Sequence, residues 1–257
     1  MDDKSFKSAC EIWQPDRPPR VWSILVTLFG DIAQTPGAHL SGAAVNAILS
    51  GINIKPEAIR VALHRLRNDG WIESTKVGRK SNYSLTEWGL AECRAANPQI
   101  YGPWPEQSQA YLVAIGSGAR HNIKGADKHV IAPNLFITAA HVDAGATLVV
   151  PLSKTQSVPS WVSDNLCSED IQAAARDFER RLKAFGKLDL AAAGLTHLQI
   201  AILRTIIVHE WRRIILRVPN LPDFLLPKGC LDRECRQMVD ETLTRLGKPH
   251  PADLNQI

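Results

Sequence analysis

The sequence predicts a mostly α chain with an α+β portion: a helix-and-hairpin module, a small mixed middle segment and a helical C-terminal segment. Three observations predict it. Apolar residues recur at helical spacing through the first 95 positions and again beyond residue 169. A period of two is confined to short runs at 71–85 and at three places between 110 and 151. Residues 97–107, with Pro98, Gly102, Pro103 and Pro105, have linker composition. At roughly 150 residues per domain, the 257-residue chain holds two domains or three small ones. The expected boundaries are 18–96, 108–165 and 166–257.

Composition excludes several classes. The chain is 45% hydrophobic and 22% charged, ordinary for a globular protein, so wholesale disorder is not expected. Residues 1–7 are charged and lack the apolar core of a secretory signal. The most apolar long run, 198–216, is interrupted by Arg204, His209, Glu210, Arg212 and Arg213, so it reads as a buried helix and no membrane association is expected. Cys10, Cys93, Cys167, Cys230 and Cys235 are scattered, with no CxxC pair and no zinc-ligand spacing. Reduced thiols and a cytoplasmic location are the expectation.

The elements follow in order. Residues 14–20 carry three prolines and should stay extended, because proline fixes φ and has no N–H to donate. Val21, Ile24, Leu25 and Leu28 then form the i, i+3, i+4, i+7 stripe of a core helix over 20–32. A second helix over 41–49 starts from Ser41 as N-cap and ends near Gly51. The third has Pro56 at its first position and Glu57 near the positive end of the dipole. Ile59, Ala62, Leu63 and Leu66 form its buried stripe, and Gly70 stops it.

From Trp71 the period becomes two. Residues 78–82 are a turn, 83–85 a return strand, and Thr86 caps a fourth helix to about residue 95. Strands are expected at 110–115, 130–139 and 147–151, and helices at 169–185, 196–217 and 231–246. Thr196 and Gln199 form a capping box for the middle one of these helices.

Charge singles out one segment. The net charge is +4, and residues 55–80, with seven basic and three acidic side chains, carry all of it. The buried stripe of the third helix dictates what its other side shows. Arg60, His64 and Arg67 share a face, flanked by Val61 and Arg65 and continued by Asn68. An apolar back with a front of long donors is what a DNA-reading helix needs: arginine can meet guanine O6 and N7 together, and Arg, Lys and Asn hold phosphates. Arg79 and Lys80 sit on the hairpin turn, where Lys76 and Asn82 join them as backbone-gripping candidates. The competing reading is a solvated basic face. The three-helix order, the glycine stop and the basic turn together favour double-stranded DNA.

These residues also carry a resemblance. Leu25-Val26-Thr27-Leu28-Phe29-Gly30-Asp31, the block from Ile59 to Trp71 and the block from Val77 to Thr86 resemble the PaaX-like family of transcriptional repressors, the regulators of phenylacetic-acid degradation. So does His209-Glu210-Trp211-Arg212-Arg213-Ile214-Ile215-Leu216-Arg217, with Pro219, Pro222 and Pro227 behind it. The resemblance covers about the first 95 and last 65 residues. It implies a homodimeric repressor with a GntR-like winged helix, a ferredoxin-like middle domain and a helical C-terminal domain. It implies an aryl-acyl-CoA effector as well. Arg60 falls on the family's recognition-helix arginine, and Arg79 and Lys80 on its basic wing. One departure stands out: only residues 116–129 separate the first two middle strands, where a ferredoxin-like fold places a full helix, so the middle domain reads as trimmed.

Other constellations are weaker. Gly116-Ser117-Gly118 follows a strand but has His121 where a dinucleotide fingerprint needs glycine. His209-Glu210 lacks the second histidine of a zinc-protease motif, Arg213 standing in its place. His209, Arg212 and Arg213 form a cationic cluster that ties helices together or receives a CoA phosphate. Cys230 and Cys235 lie close in sequence and read as core or rim thiols. His141 and Asp143 have no nucleophile partner, and no catalytic residue, metal site or cofactor is expected.

The sequence therefore points to a DNA-binding regulator that is no enzyme. Two alternatives stay open: an acyl-CoA-processing enzyme fused to a winged helix, and a winged-helix module that binds protein. Salt dependence of DNA binding discriminates among the three.

Overall fold

A computed structural model describes residues 3–14, 19–103, 109–116, 128–140, 147–155, 158–189, 194–227, 229–231 and 233–256. The fold is mixed α and β, with two small antiparallel sheets. The chain forms two units: residues 1–101, 178–213 and 237–257 make the first, and 102–177 with 214–236 the second. Of the three expected segments, 18–96 lies in the first unit, 108–165 in the second, and 166–257 is divided between them.

The first unit opens with α1 (Asp3–Ile12), which the sequence reading did not anticipate. The following Trp13 is fully buried, its ring against Phe178 and Phe185. Helix α2 (Val21–Ile32) is the first core helix. A short strand β1 (Leu40–Ser41) precedes α3 (Gly42–Ser50), whose first turn is capped by Ser41 Oγ accepting from Ala44 N at 3.1 Å. Helix α4 (Pro56–Asn68) buries Ile59, Ala62, Leu63 and Leu66, the expected stripe. It ends at Gly70, whose φ of +76° suits a residue without Cβ.

Strands β2 (Ile72–Val77) and β3 (Lys80–Leu85) pair in register from Ile72↔Leu85 to Val77↔Lys80, so the turn is tighter than the five residues expected. β1 adds to β3 through Leu40↔Tyr83, giving the order β1-β3-β2. A two-residue strand has no periodicity to read. It is held by the far end of the chain: Asn255 accepts from Ser41 N at 2.7 Å and donates to His39 O at 2.9 Å, just beyond α10 (Pro251–Leu254).

Helix α5 (Glu87–Tyr101) corrects the expected end near residue 95 and the linker reading of 97–101, because it runs through Pro98. Tertiary bonds hold the extra turn. Asn97 and Gln34 exchange two amide hydrogen bonds of 2.7 and 3.0 Å, Trp211 Nε1 donates to Ile100 O at 2.9 Å, and Tyr101 OH donates to Asp31 at 2.9 Å.

In the second unit, β4 (Ala110–Ile115), β5 (His129–Ala132), β6 (Leu135–Thr138) and β7 (Thr147–Leu152) form a sheet of order β5-β6-β4-β7. The single strand expected over 130–139 is two, because the chain reverses at Asn134, which takes a left-handed φ of 59°. One face is covered by α6 (Ser160–Leu166) and a 3-10 turn (Asp223–Leu225), with Ala110, Ile137, Val162, Leu166, Leu221 and Leu225 at the centre of the core. Ser117, Gly118, His121, His141 and Asp143 lie outside the described residues, as does most of the interval read as trimmed.

The expectation of five reduced cysteines is also corrected. Cys167 and Cys230 form a disulfide with Cα atoms 6.4 Å apart, while Cys10, Cys93 and Cys235 are outside any disulfide among the described residues. The partners are 63 residues apart, so no local spacing announces them.

The C-terminal helices are α7 (Glu169–Gly186), α8 (His197–Ile215) and α9 (Arg233–Leu246). Thr196 and Gln199 cap α8 reciprocally: Thr196 N donates to Gln199 Oε1 at 3.0 Å, and Gln199 N to Thr196 Oγ1 at 3.2 Å. No helix among the described residues is long and apolar enough to cross a membrane.

Candidate nucleic-acid interface

The apolar back of α4 orients its front. With Ile59 fully buried and Leu66 almost so, the residues between them that face away must meet solvent. Arg60, Val61, His64, Arg65, Arg67 and Asn68 are all exposed, Val61 at 66%.

The front is not uniform. Arg65 is drawn back, 3.5 Å from Asp69 and over the Trp22 ring at 5.9 Å. His64 and Asn68 meet each other at 3.3 Å. Arg60 makes no hydrogen bond or ion pair among the described residues, and the same holds for the side chains of Arg79 and Lys80. These three line one open cleft of about 550 Å³ bounded by α4, the start of α3 and the β2–β3 turn. Lys76 is exposed on β2 outside its lining, and Asn82 is half-buried on β3, in register with Thr75 and Ser41.

The cleft has walls that sequence reasoning did not supply. Asn46 stands one turn into α3, its side chain donating to Gly42 O at 2.7 Å. Ser81 and Tyr83 come from β3, and Glu57 lies one turn before Arg60. Glu57 carries only the signal of a helix-start residue, and Asn46 and Tyr83 carry none, because β1 and α3 reach the hairpin only through tertiary pairing.

Three cations with no hydrogen-bond or ion-pair partner among the described residues, around one concave surface, attract a polyanion, and salt weakens that attraction. A helix front with Arg60 and Val61 can meet both acceptor and methyl groups on base edges. Cations on a tight turn can meet phosphates.

The second cluster is arranged differently. His209 is 2% exposed, and its Nδ1 meets Thr27 Oγ1 at 3.2 Å. Arg212 donates to the same hydroxyl at 2.7 Å, and its Nε is buried with no hydrogen-bond partner among the described residues. Burial, together with the guanidinium groups of Arg213 and Arg212, pushes the His209 pKa down to about 3, so the imidazole is neutral. Burial also lowers the Arg212 pKa. Arg213 points elsewhere and pairs with Glu210 at 3.2 Å on the surface. His209 and Arg212 are brought together; Arg213 does not share an open face with them.

Comparison with known proteins gives the following likenesses. The family described as PaaX-like protein matches residues 20–89, and the one described as PaaX-like protein C-terminal domain matches residues 168–252. The transcriptional repressor PaaX of Escherichia coli (strain K12) is 25% identical over 243 residues, 84% of this chain and 77% of its own. A solved structure, uncharacterized protein Rv0674 from Mycobacterium tuberculosis, is 16% identical and covers 91% of this chain and 97% of its own, with a TM-score of 0.48.

Proposed function

The chain belongs to the PaaX-like family, and from that premise we propose that it is a transcriptional repressor that binds double-stranded operator DNA through a winged helix. The observation that carries the DNA reading is the cleft lined by Arg60, Arg79 and Lys80, whose side chains have no hydrogen-bond or ion-pair partner among the described residues. On this reading α4 is the recognition helix and the β2–β3 turn is the wing. Arg60, Val61, His64 and Arg67 face bases, with Arg65 and Asn68 at the groove wall, and Lys76, Arg79, Lys80 and Asn82 hold backbone. The family is one of regulators, and the protein acts by binding rather than by catalysis.

The finer parts rest on family likeness. The protein works as a cytoplasmic homodimer on a palindromic site, its two recognition helices in major grooves one helical turn, or a multiple of one, apart. The sheet β5-β6-β4-β7 is the ferredoxin-like middle domain. The effector is an aryl-acyl-CoA thioester that binds the DNA-incompetent arrangement more tightly and so releases the operator. Because His209 and Arg212 are turned onto Thr27, they need a rearrangement before they can receive a CoA phosphate.

The test is a fluorescence-anisotropy titration of a labelled duplex from upstream of the protein's own gene, at two salt concentrations, with and without a panel of aryl-acyl-CoA thioesters. The expected result is tight binding that weakens with salt at a log–log slope of about −0.9 per phosphate contact, abolished by one thioester. Binding indifferent to every thioester removes the effector. No binding to any DNA at low salt removes the repressor reading.

A further inference from the structure

Glu57 is a carboxylate in a cleft whose other charged walls are Arg60, Arg79 and Lys80. It is exposed on the first turn of α4, and it makes no hydrogen bond or ion pair among the described residues. A negative side chain near a helix N-terminus stabilises the helix, which accounts for its presence on α4. It does not account for the cost of a carboxylate where phosphates arrive. Phosphate oxygens only accept hydrogen bonds, so the direct partner that a duplex offers a carboxylate in its major groove is an amino group on a base edge.

In the major groove two bases offer one: cytosine through N4 and adenine through N6. Adenine sets the acceptor N7 beside its amino group, which repels the second carboxylate oxygen. Cytosine presents the donor alone, and its partner guanine presents only the acceptors O6 and N7. Arg60 lies three residues on, a rise of about 4.5 Å along the helix, close to the spacing of about 3.4 Å between successive base pairs. Residues three apart share a helix face. One helix front thus holds an acceptor-only group and a donor-only group about 1 Å farther apart along its axis than neighbouring base pairs, a difference that two flexible side chains absorb.

We propose that Glu57 is a specificity-determining residue that accepts from N4 of a cytosine in each operator half-site, next to a guanine taken by Arg60. This rests on the DNA-binding reading above. Glu57 therefore weakens binding to duplexes in general and restores it only where a cytosine stands at the right position.

The experiment selects duplexes from a random library with the full-length protein, wild type, Glu57→Ala and Glu57→Gln, and then titrates each on the selected operator and on a random duplex. The wild type is expected to require cytosine at one position of the half-site. Glu57→Ala is expected to accept all four bases there, and Glu57→Gln to move toward adenine, whose N6 and N7 suit a glutamine amide. Affinity for the operator should fall about 5- to 150-fold, while affinity for the random duplex stays level or rises. Retention of cytosine by both variants overturns the inference, as does an equal change on operator and random duplex. A wild type that selects nothing and binds no duplex overturns the DNA reading and this inference with it. A wild type that selects a motif without such a cytosine overturns this inference alone.

Discussion

Asp31 and Arg204, 173 residues apart, form a two-point ion pair: Arg204 Nε donates to Asp31 Oδ2 at 2.6 Å and Nη2 to Oδ1 at 3.1 Å. The side chains are 1% and 9% exposed. The remaining valences are filled as well. Tyr101 donates to Asp31, and Arg204 Nη1 donates to Leu243 O and Gly247 O, both at 2.9 Å. One guanidinium thereby joins α2, α8 and the end of α9 in the first unit.

Removing one partner leaves a buried charge uncompensated. Asp31→Ala or Arg204→Ala is expected to cost about 3–5 kcal/mol, read from urea midpoints. The double change Asp31→Leu with Arg204→Met should cost less than either, because no charge is stranded. Single losses below about 1 kcal/mol would mean that water reaches the pair.

The neutral His209 makes stability depend on pH. Its folded pKa, about 3, lies below the ordinary 6.5, so between those values the unfolded chain binds the extra proton. Stability from this group is fully present above pH 6.5 and falls as pH drops toward 3, by about 1.4 kcal/mol per unit. Denaturant titrations at pH 7 and pH 5 should show this loss in the wild type and a smaller one in His209→Asn. Equal losses would place the proton uptake elsewhere.

On DNA, Arg60→Ala is expected to cost about 1–3 kcal/mol on the operator and to relax base preference at one position. Lys80→Ala should weaken operator and random duplex alike and reduce the salt slope by about one contact. Anisotropy titrations on both duplexes separate the roles, and a uniform loss for Arg60→Ala would move that residue to the backbone.

Gly89 is needed for close approach. A Cβ there would sit 2.2 Å from Trp71 O, and Thr86 Oγ1, which accepts from Gly89 N at 3.0 Å, donates to Gly70 O at 2.6 Å. Gly89→Ala forces α5 away from the start of β2 and should destabilise by about 1–3 kcal/mol. Thermal unfolding measures it; an unchanged Tm would show that α5 shifts freely.

The front of α4 was legible because its back was. Ile59, Ala62, Leu63 and Leu66 fix the rotation of the helix, and Arg60, Val61, His64 and Arg67 then have one direction left. Glu57 was legible as a helix-start residue and no further, since its place in a cleft depends on the hairpin turn folding back beside it. Pro98 was misleading. The rule that proline ends a helix holds locally, and bonds from Gln34, Asp31 and Trp211 override it.

By itself the sequence determined the helices over 21–68, the hairpin behind them, the long C-terminal helices and the basic face, because each rests on periodicity and caps within a few residues. Only the tertiary structure decided that Asn255 would hold β1, that Cys167 would meet Cys230, and that His209 and Arg212 would turn onto Thr27. Those contacts close loops of tens to hundreds of residues. Their partners are chosen by the packing of whole faces, a quantity no short stretch of chain contains.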